Sequence, residues 1–276
     1  MTASDTPYIF PNYFFEPNLT SPRFLMISYE FPLNERVRTL LRLEDLFSRI
    51  EVLVNRTESI DHHSALGVLF ELLEVAARAD LKSELLQELE RQKKILSALH
   101  SNPEISESAL ENVLNSIDNA STDLLSMSGK IGQHLRDNEW LMSIKQRACI
   151  PGGVCEFDLP SYHYWHHQSS DTRRSHLADW LKPMLPLNEG LSIVLRLLRE
   201  SGKLHHFTAL HGSFQQMQGG KVAQMLCVHI NKELPCIPEI SANKYALNVR
   251  FVAANYAAKT SLYDHDVPFD LTFCSL

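Results

Sequence analysis

At Gly202 the sequence changes period, and no other feature narrows the possible folds as much. From Leu33 to about Arg147, apolar residues recur at the three- and four-residue spacing of amphipathic helices. The pattern predicts helices near residues 33–54, 60–79, 81–100, 104–118 and 132–147, with polar or Pro-containing breaks such as "HSNPE" between them. Asp171 reads as an N-cap before "TRRSHLADWLK", and "LPLNEGLSIVLRLLRESG" reads as a further amphipathic helix with Gly202 in the C′ position. Downstream, "HHFTALHGSF", "KVAQMLCVHIN", "KYALNVRFVAA" and "FDLTFC" are rich in β-branched and aromatic residues, with alternation at Phe269, Leu271 and Phe273. Gly219-Gly220 is a hairpin-turn candidate. Two shorter strands are expected from earlier in the chain, in "FLMISYEF" and "VCEFDL".

Helices first and strands afterwards imply an α+β fold, a helical bundle domain packed with a segregated, mostly antiparallel β domain. The expected helical domain is 33–147 plus 171–202, and the expected β domain is 26–32 plus 148–170 plus 203–276. Residues 1–25 are expected to be an N-terminal extension, disordered or upstream of the true start. Their lack of a basic start and of a continuous apolar core, with Pro7, Pro11, Pro17 and Pro22 interrupting, argues against a secretory signal.

Composition then removes several function classes. A formal net charge of −7 disfavours sequence-independent nucleic-acid binding, which needs many Lys and Arg to neutralise phosphates. The longest apolar candidate, "SALGVLFELLEVAA", is broken by Glu71 and Glu74, well short of the ~18 residues of a membrane span. Only 10 of 276 residues are glycine, and neither GxGxxG nor GxxxxGK[ST] occurs, so the usual nucleotide-binding loops are missing from the sequence. Five cysteines without CxxC spacing fit a reducing cytoplasm rather than a disulfide framework.

Two stretches could carry chemistry. On a helical wheel, "LNERVRTLLRLEDLFSRI" puts Leu33, Val37, Leu40, Leu41, Leu43, Phe47 and Ile50 on one side, and Arg38, Arg42 and Arg49 opposite, within roughly 40° of one another. Such a stripe is either a solvated face partnered by Glu35 and Asp45 or an anion-recognition surface, because guanidinium groups grip carboxylates in bidentate fashion. Arg78 and Lys82 lie a turn apart where Asp80 could cap the next helix. The second stretch, "IPGGVCEFDLPSYHYWHHQSSD", offers His163 with His166 or His167 at helical spacing and Cys155 or Asp158 as a further metal ligand. It holds no HExxH, and Glu156 beside Cys155 disfavours a thiolate. The interleaved Tyr162, Tyr164 and Trp165 suit a packing segment, so the stretch reads as a structural joint: Gly152-Gly153 turns the chain, "VCEFDL" enters the sheet, and Pro160 ends it.

The pieces "YEFPLNERVRTLLRLEDLF", "LLEVAARADLKSELLQELERQ", "IGQHLRDNEWLMSIKQR", "IPGGVCEFDLPSYHYW" and "IPEISANKYALNVRFV" resemble, in that order and spacing, the ZapD family of bacterial cell-division proteins. The resemblance runs from about residue 28 to the C-terminus, and family members usually begin close to Met26. It implies a non-enzymatic, cofactor-free cytoplasmic homodimer, paired through its helices, at the mid-cell division site. Such a dimer would bind the C-terminal tail of FtsZ, the tubulin-like division protein, and bundle its filaments within the Z ring. Carried over position by position, it implies tail contacts at Arg38, Arg42, Arg78, His163 and Arg250, with Lys244, Arg136 and Arg147 as further members. Glu139 and Ala246 depart from the arginines the family carries there, which would weaken the groove or shift it towards Lys145 or Lys244. No nucleic acid, membrane or metal partner is implied. The competing reading is a metal-dependent hydrolase using His163, His167 and Cys155.

Overall fold

The computed structural model describes residues 25–77, 80–101, 105–217, 223–243, 245–255 and 261–276. Arg78, Lys244, the Gly219-Gly220 turn and nearly all of the N-terminal extension lie outside the described residues. Strand β1 (Met26–Pro32) leads into helices α1 (Glu35–Val54), α2 (Ser59–Val75), α3 (Leu81–Ser97), α4 (Glu107–Ser126), α5 (Gln133–Arg136), α6 (Glu139–Ala148), α7 (Pro160–His166), α8 (Ser170–Leu181) and α9 (Leu185–Glu200). Strands β2 (Leu204–Ala209), β3 (Ser213–Met217), β4 (Met225–Asn231), β5 (Cys236–Ala242), β6 (Ala246–Ala253) and β7 (Val267–Cys274) follow. The α+β class expected from the change of period is the observed one. The chain forms two compact units, Leu40–Val194 and a segment ending at Thr39 together with Leu195–Leu276.

In the helical unit α2 is the central element. Its "SIDHHSALGVLFELLEV" buries His62, Ala65, Leu66, Val68, Leu69, Phe70, Leu72 and Leu73, a broad apolar side that leaves a narrow exposed stripe at Ser64, Gly67, Glu71 and Glu74. α1 instead shows one buried side, Leu40, Leu43, Phe47, Ile50 and Val54, as its wheel requires. Each such side chain taken fully out of water contributes about 1.5–3 kcal/mol. α9 approaches α3 and α4 at Gly190, where an added Cβ would stand 2.9 Å from Leu85 Cδ2 and 2.8 Å from Leu124 Cδ1.

Several local expectations are corrected in this unit. α8 is capped by Ser169, whose hydroxyl accepts from Thr172 N at 3.2 Å, and Asp171 sits inside the first turn. The helix expected over 132–147 is two, because Asn138 starts α6 by accepting from Leu141 N at 3.0 Å. The strand expected in "VCEFDL" is a run of turns, with Asp158 N and Leu159 N both donating to Cys155 O. Residues 148–170 therefore belong with the helices rather than the strands.

The other unit has a four-stranded antiparallel sheet, β1-β4-β7-β2, and a three-stranded one, β3-β6-β5. Alternate residues of each strand enter one core: Leu226, Val228 and Ile230 from β4, Leu247, Val249 and Phe251 from β6, and Phe269 and Leu271 from β7. Phe269 meets Phe214 and Phe251 with ring centroids 5.2 Å apart in each pair. "HHFTALHGSF" supplies two strands, not one, because His211 and Gly212 turn the chain at positive φ. β5 escaped the sequence analysis since it contains Pro238, which an edge strand tolerates. Gly202 does not adopt a left-handed C′ conformation; it is needed because a Cβ there would lie 2.3 Å from Thr272 Cγ2 of β7. The end of α9 is fixed to β1 by Arg199, whose Nε and Nη2 donate to Glu30 at 2.6 and 2.8 Å.

Candidate binding surface

The cations of the helical unit fall into two kinds, and burial separates them. Arg173 on α8 is 5% exposed and has no carboxylate partner among the described residues. Its Nε donates to His62 Nδ1 at 3.0 Å, Nη2 to Thr57 O at 2.8 Å, and Nη1 to His166 O at 3.1 Å and to Gln168 O. His62 completes the arrangement by donating Nε2–H to Arg56 O at 2.9 Å, which fixes its tautomer. Burial and the adjacent Arg173 hold that imidazole neutral, outweighing the carbonyl it bonds. Arg174 adds a bond from Nε to Val54 O at 3.2 Å. Both arginines clamp the α1–α2 connection onto α8, a role sequence analysis missed because the partners lie more than a hundred residues apart.

Beside this clamp lies the aromatic half of the opening motif. Tyr162 Oη meets His63 Nδ1 at 2.5 Å and His166 Nε2 at 2.7 Å. The hydroxyl has one proton to give, so one imidazole accepts it and the other donates its own N–H. Burial, then the nearby His63, pushes His166 down to about 4; burial alone lowers His63 and raises the Tyr162 phenol. Trp140 Nε1 donates to Ser161 Oγ at 3.0 Å and Trp165 Nε1 to His176 Nδ1 at 3.1 Å. This part of the motif is the structural joint that its interleaved aromatics suggested.

The candidate tail-binding residues are mostly of the other kind. Along α1, Arg38 pairs with Glu35 at 3.3 Å, Arg42 is exposed, and Arg49 reaches Asp45 at 3.0 Å and Glu71 of α2 at 3.3 Å. Arg147 at the end of α6 faces Asp158 at 3.5 Å, and His163 of α7 faces Glu156 at 3.7 Å, so the turns between those helices bring these two candidates to one loop. Arg250 is exposed on β6, in register with Ser213 and Glu239 on either side. Arg136 differs: half-buried, it donates to Ile131 O at 2.9 Å and Leu73 O at 3.1 Å, closing the end of α2. Glu139 is an exposed first-turn residue of α6, Ala246 opens β6, and Lys145, a candidate to replace missing charge, is held by Glu74 of α2.

The ligand set for a metal does not assemble. His163 and His167 lie with ring centroids 4.4 Å apart and planes tilted at 53°, yet Cys155 does not join them, and the described residues contain no group of three His, Cys, Asp or Glu placed to hold an ion. In the β unit, His206 Nδ1 and Asp270 Oδ1 meet at 2.5 Å in an open cleft also lined by Met26, Thr208, Asn231 and Pro268. Among the described residues, no helix is long and apolar enough to cross a membrane.

Comparison with known proteins places these observations. The family model ZapD, described as a cell division protein, matches residues 41–250. The chain is similar to "Cell division protein ZapD" of Nitrosomonas europaea, 54% identical over 251 residues covering 91% of this chain and 96% of that protein. It is 56% identical over 252 residues to the protein of the same name from Dechloromonas aromatica, covering 91% and 100% of the two chains. The corresponding Aromatoleum aromaticum protein is 55% identical over 251 residues, with 91% and 98% covered.

Proposed function

The chain belongs to the ZapD family of cell division proteins, and on that premise we propose that it binds the C-terminal tail of FtsZ and cross-links FtsZ filaments into bundles. In this reading the protein is not an enzyme and needs no cofactor. It acts in the cytoplasm at the mid-cell division site, as a homodimer joined through its helical domain. Two tail sites on one dimer gain avidity along a polymer whose tails are closely spaced, so each site can be weak and the bundle still persist.

The observation that carries the reading is the exposure of Arg42, Arg147, His163 and Arg250 on a chain of this family. The exposed pairs at Arg38, Arg147 and His163 involve the chain's own carboxylates and are worth about 0–1 kcal/mol each, so an acidic peptide can replace them at small cost. Arg136 is better assigned to holding α2 than to the tail, since it is half-buried and both its Nη1 and Nη2 donate to backbone carbonyls. Arg78 and Lys244 remain in the proposal on sequence grounds. Co-sedimentation with FtsZ filaments tests it: the protein pellets with full-length FtsZ and is lost from the pellet when FtsZ lacks its tail. Undiminished pelleting with tail-less filaments contradicts it.

A further inference from the structure

Between α6 and α7 the chain does something unusual for a large aromatic residue. Phe157 is 80% exposed although its loop is built of successive hydrogen-bonded turns. Ile150 N donates to Arg147 O at 2.9 Å, Gly153 N to Ile150 O at 2.9 Å, and Leu159 N to Cys155 O at 3.0 Å. Gly153 is required there, because a Cβ would fall 2.4 Å from Arg147 O. The turns bury Leu159 and turn Phe157 outward, so its exposure is imposed by the backbone.

Its neighbours give the exposure a direction. Glu156 and Asp158, immediately before and after it, reach His163 and Arg147 respectively, at 3.7 and 3.5 Å. The loop thus sets the sequence acid–aromatic–acid against an arginine and a histidine. Two more large apolar side chains of the same segment, Tyr164 at 71% and Ile150 at 50%, are also exposed. Single exposed hydrophobics need no explanation, but aromatic residues grouped with Arg and His are the composition of a recognition surface. The acidic flanks of the loop compete with an acidic ligand for Arg147 and His163, and their own pairs are solvent-exposed and weak.

We propose that residues 149–159 form a shielded docking element. Phe157 supplies the apolar contact for an acidic peptide carrying an apolar side chain, while Glu156 and Asp158 occupy His163 and Arg147 until the peptide's carboxylates take their place. The inference rests on the reading that the partner is the FtsZ tail, and it adds the anchor and the built-in competitor. The loop's own acids therefore set the affinity: they lower it and make it selective for peptides that offer both charge and an apolar group.

The test is fluorescence polarisation of a dye-labelled peptide of the FtsZ tail with the full chain at low salt. Phe157→Ser is expected to weaken binding about five- to tenfold without shifting the melting temperature. Glu156→Gln with Asp158→Gln is expected to tighten it about threefold. That opposite change cannot come from damage to the fold. Glu107→Gln with Glu111→Gln, the same change of net charge on exposed positions of α4, is expected to leave affinity within about twofold. Unchanged affinity in the Phe157 variant, or equal gains from the loop and α4 pairs, overturns the docking element while leaving tail binding standing. Wild-type protein that binds no peptide overturns both readings.

Discussion

Arg173 and Arg147 carry the same guanidinium and do opposite work. The first is buried and spends its donors on His62 and on three backbone carbonyls, whereas the second keeps 48% of its side chain exposed and faces one carboxylate at 3.5 Å. Out of water each donor must find a partner, so the buried cation is a joint that cannot be exchanged. In water a carboxylate partner is nearly interchangeable with solvent or with another anion, so the exposed cation is available for recognition. The distinction divides candidate residues more sharply than charge does.

The largest expected effect comes from breaking the joint. Arg173→Met leaves His62 Nδ1 and the carbonyls of Thr57, His166 and Gln168 without their donor, and is expected to lower unfolding stability by about 3 kcal/mol in urea titrations. Tyr162→Phe removes the hydroxyl from His63 and His166 and is expected to cost about 2 kcal/mol by the same measurement.

A smaller effect should follow pH. His166 is depressed to about 4 in the folded chain from its ordinary value of 6.5, so the unfolded chain binds the proton more readily. The stabilisation is complete above pH 6.5 and is lost as pH falls through 4. Discounted for partial exposure, the loss is about 1 kcal/mol, and a His166→Gln variant should show a shallower dependence of stability on pH across that window. Smallest of all is the effect on stability of Arg147→Ala, expected to stay within about 0.5 kcal/mol while peptide affinity falls.

Much of this architecture is written in local pattern. The shift from helical to alternating spacing at Gly202 marks the boundary between α9 and the strands, and Phe269 and Leu271 point into the core as their alternation requires. The buried side of α1 follows its wheel. Where local pattern and backbone demand conflict, the backbone prevails: Val154 to Leu159 include strand-forming side chains, but Gly152 at positive φ and Pro160 at the start of α7 leave room only for turns. β5 was hidden by Pro238, and the Ser169 cap by the more conspicuous Asp171. The Arg173 clamp had no local signal, since its bonds to Thr57 and His62 span 116 and 111 residues. For the candidate surface, the sequence supplied the arginine stripe of α1 and the motif residues Arg147 and His163. It gave no sign that the acids beside Phe157 would fold back onto the last two.

The claim that exposed cations are held for a partner is tested most directly at Arg42, the candidate nearest the middle of α1's exposed stripe. Titration calorimetry of an FtsZ tail peptide against Arg42→Glu should show at least about tenfold weaker binding than wild type, with the melting temperature retained. Equal affinity, or a variant that fails to fold, would contradict the account.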